Sequence, residues 1–404
     1  MFAPAASPPR FFTLVLLSGL AVLSLNMFLP SLPNIAEEFK ADYALVSLSI
    51  AGYLGVTAVV QLIVGPLSDR FGRRPVLLVC LSIFVLASLV CALATDIWIF
   101  LAFRVLQGAI ISAYAISLAV IRDMVSEREA ASLMGYVSMA MAVAPMLGPM
   151  IGGGLDELFG WRASFFAYLA MGIAVLAICW ADLGETNTSP SRTLLTQARA
   201  YPELFRSRRF WAYALCMAFS TGAFYSFLAG APLVTETLFA MSPAVLGFYM
   251  GTITVGFMAG SYISGRYARR YALTTMMIAG RLTACIGLTI GLVLFLAGVV
   301  HVASFFGATV FVGIGNGLTM PSANAGALSV RPDLSGSAAG LSGALTVAGG
   351  AVLTSVTGAV LSEGNAAYAV IGMMLFCAAM GLISALYVLR LDLRERAGGV
   401  SSTT

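Results

Sequence analysis

The chain has 404 residues, 60% of them apolar and only 10% charged, where a soluble protein carries about 25% charged residues. So few charges cannot cover a water-facing surface, and a net charge of +4 is too weak for a nucleic-acid footprint. The composition excludes a row of soluble domains and points to a chain solvated by lipid.

Twelve segments reach the length of about 20 apolar residues that a membrane-spanning helix needs. They fall at roughly 11–31, 44–66, 75–94, 98–120, 133–155 and 163–181, then at roughly 211–233, 244–265, 275–298, 302–323, 336–360 and 367–388. The expected fold class is all-α and integral to the membrane. The first segment does not read as a cleaved signal peptide. Only Arg10 precedes it, no clear small-residue cleavage site follows, and it runs into Pro30 and Pro33. The one long connection runs from Asp182 to Phe210. It is polar and holds Arg192, Arg199, Arg206, Arg208 and Arg209, the run Ser189-Pro190-Ser191 and an amphipathic stretch at Leu194 to Leu204. It divides six spans from six. The expected organisation is a six-helix bundle over 1–181, a flexible cytoplasmic linker over 182–210, a second bundle over 211–390 and a cytoplasmic tail over 391–404.

The cations orient the chain. If Arg10 is inside, the same side holds 18 of the 22 lysines and arginines, and the opposite loops hold only Lys40 and Arg162. That bias places both termini in the cytoplasm. Arg104 and Arg281 fall within spans. Gly65-Pro-Leu-Ser-Asp-Arg-Phe-Gly-Arg-Arg74 follows the second span, and Ser261-Tyr-Ile-Ser-Gly-Arg-Tyr-Ala-Arg-Arg270 follows the eighth. Two related six-span halves suggest an alternating-access carrier with its site at the membrane midplane.

Along the chain, Asn26 places an amide at depth in the first span. Tyr53, Thr57 and Gln61 recur at i, i+4 and i+8 and form a polar stripe on one helical face. Gly65, Asp69, Arg70, Gly72, Arg73 and Arg74 carry the strongest signal. The glycines permit a tight turn, and Asp69 with the arginines can form a charge network that holds one conformer and releases it in another. Arg104 is a charge inside an apolar span, costing about 2.5–3.5 kcal/mol on insertion scales. Gln107 lies one turn on, so the pair can line a wet cavity or bridge helices. Asp123, at the cytoplasmic end of the fourth span, is expected to pair with Arg73 or Arg74, against the plain reading of a solvated acid. Pro145, Gly148, Pro149, Gly152 and Gly153 mark a kinked helix that a neighbour can approach closely. Phe219, Phe224, Tyr225 and Phe227, with Met217, suit a promiscuous apolar pocket, although aromatics at helical spacing also simply pack. His301, the only histidine, falls in a short external link. The six cysteines make no metal-binding spacing, and no nucleotide loop or nucleophile elbow is present. Neither an enzyme nor an ATP-driven pump is expected.

The loop run at Gly65–Arg74 resembles the signature of the major facilitator superfamily. Leu101-Ala-Phe-Arg104-Val-Leu-Gln107-Gly108 is similar to the fourth-helix motif of its drug-exporting branches. Ala144-Pro145-Met-Leu-Gly148-Pro149-Met-Ile-Gly152-Gly153 is similar to the fifth-helix motif of antiporters. Asn26-Met-Phe-Leu-Pro30-Ser-Leu-Pro33 and Ser226-Phe-Leu-Ala-Gly-Ala-Pro232-Leu-Val-Thr-Glu236 resemble the first- and seventh-helix patterns of Bcr/CflA-type multidrug exporters. The resemblance covers essentially the whole chain. It implies two six-helix bundles in the inner membrane, acting as a monomer with no cofactor and no metal. It implies export of small drug-like compounds in exchange for protons, and a role for Arg104 in conformational coupling.

The acids do not fit that pattern simply. No carboxylate sits near a span centre, and Asn26 stands where the resembling exporters commonly have aspartate. The external acids are Glu37, Glu38, Asp42, Asp96, Asp156, Glu157, Glu236 and Glu363. Glu236, then Asp42, are the proton-coupling candidates. The rival readings are a metabolite uptake carrier of the same fold, favoured by the missing central acid, and a membrane receptor, which lacks the soluble domain it would need.

Overall fold

The computed structural model describes residues 9–125, 127–187, 202–267, 270–331, 335–362 and 364–400. Among them there is no strand. The apolar runs form helices because a backbone surrounded by hydrocarbon must satisfy its own polar groups.

The chain separates into two compact units, one drawn from Met1–Leu194 with Ala240–Gly251 and the other from Leu195–Phe239 with Thr252–Thr404. The first unit begins with α1 (Phe11–Asn26). A 3-10 turn at Leu29–Ser31 and a short α2 (Leu32–Phe39) follow it. The sequence reads one span across 11–31. Instead the helix breaks at the Met27–Phe28 step before Pro30, and the chain continues as a second helix. Next come α3 (Tyr43–Phe71), α4 (Arg73–Leu93), α5 (Ile97–Gln107) and α6 (Ile111–Met124), then α7 (Glu127–Phe159) and α8 (Arg162–Asp182). A 3-10 turn at Gly108–Ile110 joins α5 to α6, so the fourth span is two helical pieces in series. Gly108 stands at that joint because a Cβ there would be 2.8 Å from the Tyr53 carbonyl oxygen.

The second unit holds α9 (Arg208–Val234), most of α10 (Pro243–Tyr267), α11 (Leu273–Leu296), α12 (Val302–Ser329), α13 (Ser335–Val360) and α14 (Ala366–Val400). Five residues of π-helix, Thr235–Phe239, extend α9 past Pro232. Eleven stretches among the described residues are long and apolar enough to cross a membrane. α7, with 33 residues and prolines at 145 and 149, is the twelfth helix of spanning length. Most of the helices overrun the expected spans, whereas α4 and α11 stop short of them at their C-terminal ends. Leu194–Tyr201 of the amphipathic stretch lies outside the described residues, as do Arg192 and Arg199, while 202–206 is helical.

Each unit has its own aromatic core near one end of its helices. In the first, Phe100, Trp161, Phe165 and Tyr168 stack edge-on, with Phe100 and Phe165 centroids 5.3 Å apart. In the second, Phe295, Phe305 and Phe306 do the same, the last two at 5.1 Å. Large apolar side chains such as Val79, Leu86, Ile290 and Phe376 point outward, as a surface solvated by lipid requires.

Candidate functional site

The charged loop network is built on Gly72. This residue ends α3 and caps α4 with φ at 96°, a conformation that only glycine adopts without strain. Gly65, expected in a turn, instead lies within α3. The chain keeps hydrogen-bonding in helical register until Gly72, so the turn is a single residue. One helical turn before it, Asp69 Oδ1 meets Arg73 Nη1 at 2.5 Å. The same guanidinium donates through Nη1 to Ser68 Oγ at 2.6 Å and through Nε to Asp123 Oδ2 at 3.1 Å. Asp123 thus pairs with Arg73. Arg70 turns outward and its guanidinium rests over the Phe71 ring, 5.2 Å from the centroid.

The network has members that a reading along the chain does not find. Glu185, just past α8, accepts the backbone N–H groups of Arg73 at 2.9 Å and Arg74 at 3.2 Å. A carboxylate there satisfies donors with no helical partner and meets the positive end of the helix dipole. A Cβ on Gly72 would overlap Glu185 Oε2, so glycine is required twice at this position. Asn187 donates to the Asp69 carbonyl at 2.8 Å, and Arg74 Nη2 donates to the Trp180 carbonyl at 2.7 Å. The start of the linker therefore grips the loop. Nothing in the local sequence around Glu185 signals this, because the contact spans 112 residues. Glu185→Gln removes the charge and keeps one acceptor. It is expected to slow transport about three- to tenfold with unchanged protein in the membrane, the scale of 0.7–1.4 kcal/mol at a helix cap. Initial rates normalised to membrane-inserted protein measure it. A wild-type rate would remove Glu185 from the network.

At depth, Arg104 on α5 is wholly buried. Nη1 donates to Gln107 Oε1 at 2.7 Å, and Nη2 donates to the Ser24 carbonyl at 2.8 Å. Gln107 passes the chain on to Ser88 Oγ on α4 at 2.7 Å. The guanidinium lies over the Phe28 and Tyr53 rings, with their centroids 4.2 and 4.4 Å away. The Tyr53 hydroxyl is 2.6 Å from Ser24 Oγ. Arg104 thus joins α1, α3, α4 and α5. Of the two roles open to Arg104 and Gln107, the geometry matches the bridge between helices, because protein encloses the whole guanidinium.

The Tyr53–Thr57–Gln61 stripe is not uniform. Tyr53 and Thr57 are buried and Gln61 is half-buried. Asn26, also buried, donates to the Val22 carbonyl at 2.8 Å, and its Oδ1 has no hydrogen-bond partner among the described residues. It packs against Gly148 of α7, where a Cβ would stand 3.0 Å from the Asn26 Cβ.

That contact begins a glycine seam. A Cβ on Gly152 would overlap the Met27 carbonyl. A Cβ on Gly153 would overlap the Pro243 carbonyl at the start of α10, and one on Gly247 of α10 would overlap the Pro149 carbonyl. Backbone meets backbone on both sides of α7, with Pro145 and Pro149 inside the same helix. This is the close approach that small residues allow.

The second unit has a comparable hub around Arg281, whose partners the sequence alone does not show. Arg281 on α11 is wholly buried. It donates through Nε to Thr319 Oγ1 at 3.0 Å and through Nη2 to Asn316 Oδ1 at 2.7 Å, both on α12. Asn316 donates in turn to the Ser220 carbonyl on α9 at 3.0 Å. Each unit therefore contains an arginine, a side-chain amide and a serine carbonyl of its own first helix. The discoverable signal was the charge itself, since an arginine in a span needs partners. Phe224 and Tyr225 are half-buried, with centroids 5.5 Å apart, and Tyr225 lies against Gly350. Glu236 and Asp42 are both exposed, and His301 caps α12 through Nδ1.

A helical membrane protein with a charge-locked loop and buried arginine hubs has the make-up of a carrier. The Major Facilitator Superfamily model matches residues 14–354, and the chain belongs to that family. It is a multi-pass membrane transporter and not an enzyme. It is similar to YdgK, an uncharacterized MFS-type transporter of Bacillus subtilis, with 34% identity over 282 residues, 66% of this chain and 70% of that one. It is also similar to a bicyclomycin resistance protein homolog of Haemophilus influenzae, with 26% identity over 351 residues, 85% and 87% of the two chains. The solved structure of a D-xylose–proton symporter shares the fold with a TM-score of 0.73 at 17% identity, over 94% of this chain and 96% of that one.

Proposed function

We propose that the protein exports small drug-like compounds across the inner membrane, with both termini in the cytoplasm, by alternating access driven by proton influx. It works as a monomer without a cofactor. The two six-helix bundles, 1–181 and 211–390, rock about a midplane site, with 182–210 as the linker and 391–404 as the tail. The observation that carries the reading is the Asp69–Arg73–Asp123 network with Glu185 across it, a set of charged hydrogen bonds that can be made in one conformer and released in another. The glycine seam along α7 supports exchange over leak, because backbone packed on backbone leaves no path for ions. The resistance relative supports drug-like cargo. Asn26, Thr57, Gln61, Phe224 and Tyr225 are the proposed cargo-facing residues, and Arg104 with Gln107 couples the helices that carry them. The experiment that tests the reading is transport by the purified protein in sealed liposomes under an imposed proton gradient.

A further inference from the structure

Asp156 lies at the outer end of α7, beyond the expected fifth span, and is only 5% exposed. Most acids at span ends face water, as Glu157 beside it does. Asn34 on α2 donates to Asp156 Oδ2 at 2.9 Å, a contact across 122 residues that ties the outward extension of the first span to the fifth. The tie sits one turn beyond Gly152 and Gly153, where α7 touches Met27 and Pro243. Burial pushes the Asp156 carboxyl above the usual carboxylate range, against the smaller pull of Ser31 and Asn34.

The charged groups around it are few. α1 and the Leu29–Ser31 turn carry none. On and just after α2 stand Glu37, Glu38 and Lys40, all exposed, and on α8 Arg162. Glu38 is held by Arg162 and by Trp161 Nε1 at 2.6 Å. Ala240–Gly251 brings no charge and one ionisable group, Tyr249. On α6, Arg122 and Asp123 stand at the opposite, cytoplasmic end. Among the described residues no cation pairs with Asp156.

We propose that Asp156 is a positioning residue through which external protons act on the transport cycle, its charged form tying α2 to α7 through Asn34 and its protonated form releasing that tie at the outer end of the glycine seam. The inference rests on the proton-driven reading above and adds to it a residue that neither Glu236 nor Asp42 supplies, since both are exposed. The proton comes from external water to a carboxylate oxygen and returns there, with only an O–H bond made and broken. A neutral acid accepts a weaker hydrogen bond than a carboxylate, so protonation favours separation of α2 from α7. The sign follows from the burial. A raised pKa means that the proton binds at a higher external pH than a solvated aspartate would allow, so the tie is complete at high pH and lost as pH falls.

The test is the initial rate of gradient-driven transport in liposomes as the external pH is varied with the pH difference across the membrane held constant, so that the driving force is the same at every point. The wild type is expected to give a sigmoidal profile, Asp156→Asn a flat one, and Asp156→Glu a sigmoid again. Asn34→Ala is expected to move the midpoint upward by about one pH unit, because it removes a hydrogen bond that favours the charged form. A residue that only held structure would change the rate and leave the midpoint. If Asp156→Asn does not reach the membrane, the Asn34→Ala midpoint decides, and an unmoved midpoint overturns the proposal. A gradient-driven wild type with an unchanged profile in Asp156→Asn overturns it while leaving proton exchange intact. A wild type that ignores the gradient removes both.

Discussion

Arg104→Lys lowers transport at least about tenfold, and Arg104→Ala does the same, although lysine keeps the charge. Arg104 makes its two side-chain hydrogen bonds from different nitrogens of one planar fork, to Gln107 and to the Ser24 carbonyl, and lies over the Phe28 and Tyr53 rings. Lysine is a single point donor and cannot reproduce the fork. Whichever acceptor it misses is left buried and unpaired, at a cost of about 1–3 kcal/mol. A loss of 1.4 kcal/mol in the rate-limiting conformational step is tenfold. Rates normalised to membrane-inserted protein measure the effect. A fully active lysine variant would show that only positive charge matters at this position.

Gly152→Ala strikes both stability and transport, whereas Gly154→Ala two residues away leaves both near wild type. At Gly152 the new Cβ overlaps the Met27 carbonyl, a backbone atom that cannot swing aside. Overpacking of this kind costs about 1–3 kcal/mol and forces α1 and α7 apart. At Gly154 a Cβ meets no atom within 4 Å, and alanine is favoured over glycine inside a helix by about 0.5–1 kcal/mol. Thermal melting of the purified variants and their transport rates separate the two. Equal melting temperatures for both would mean that the seam yields without cost.

The first of these effects was half legible in the sequence and the second nearly all. A charge in an apolar span announces that it has partners, and Gln107 was within reach at one turn. Ser24 and Ser88 were not, because hydrophobic periodicity says which residues share a face and not what stands opposite. Tyr53 shows the same limit. Its spacing with Thr57 and Gln61 marked a stripe, yet the side chain is spent on Ser24 and Arg104. The Asp69–Arg73–Asp123 set could be read from spacing and resemblance together, whereas Glu185 entered only through the fold. The break after Asn26 is carried by Pro30 and Pro33, which a hydropathy window averages away. Asp156 is the sharpest case. In sequence it is one of eight acids at external span ends, and only the packing of the Leu29–Ser31 turn on α7 and the hydrogen bond from Asn34 separate it from Glu157.

Proton-driven export is tested most directly with the purified protein in sealed liposomes, loaded acid inside and offered a panel of lipophilic cations and neutral antibiotics. Substrate is predicted to accumulate on the acid side above its external concentration for protein facing either way, because exchange moves cargo against the proton. Accumulation is predicted to vanish when a protonophore collapses the gradient. Accumulation that stops at equal concentrations, with the same rate whether or not a gradient is imposed, would contradict proton exchange and leave a facilitator.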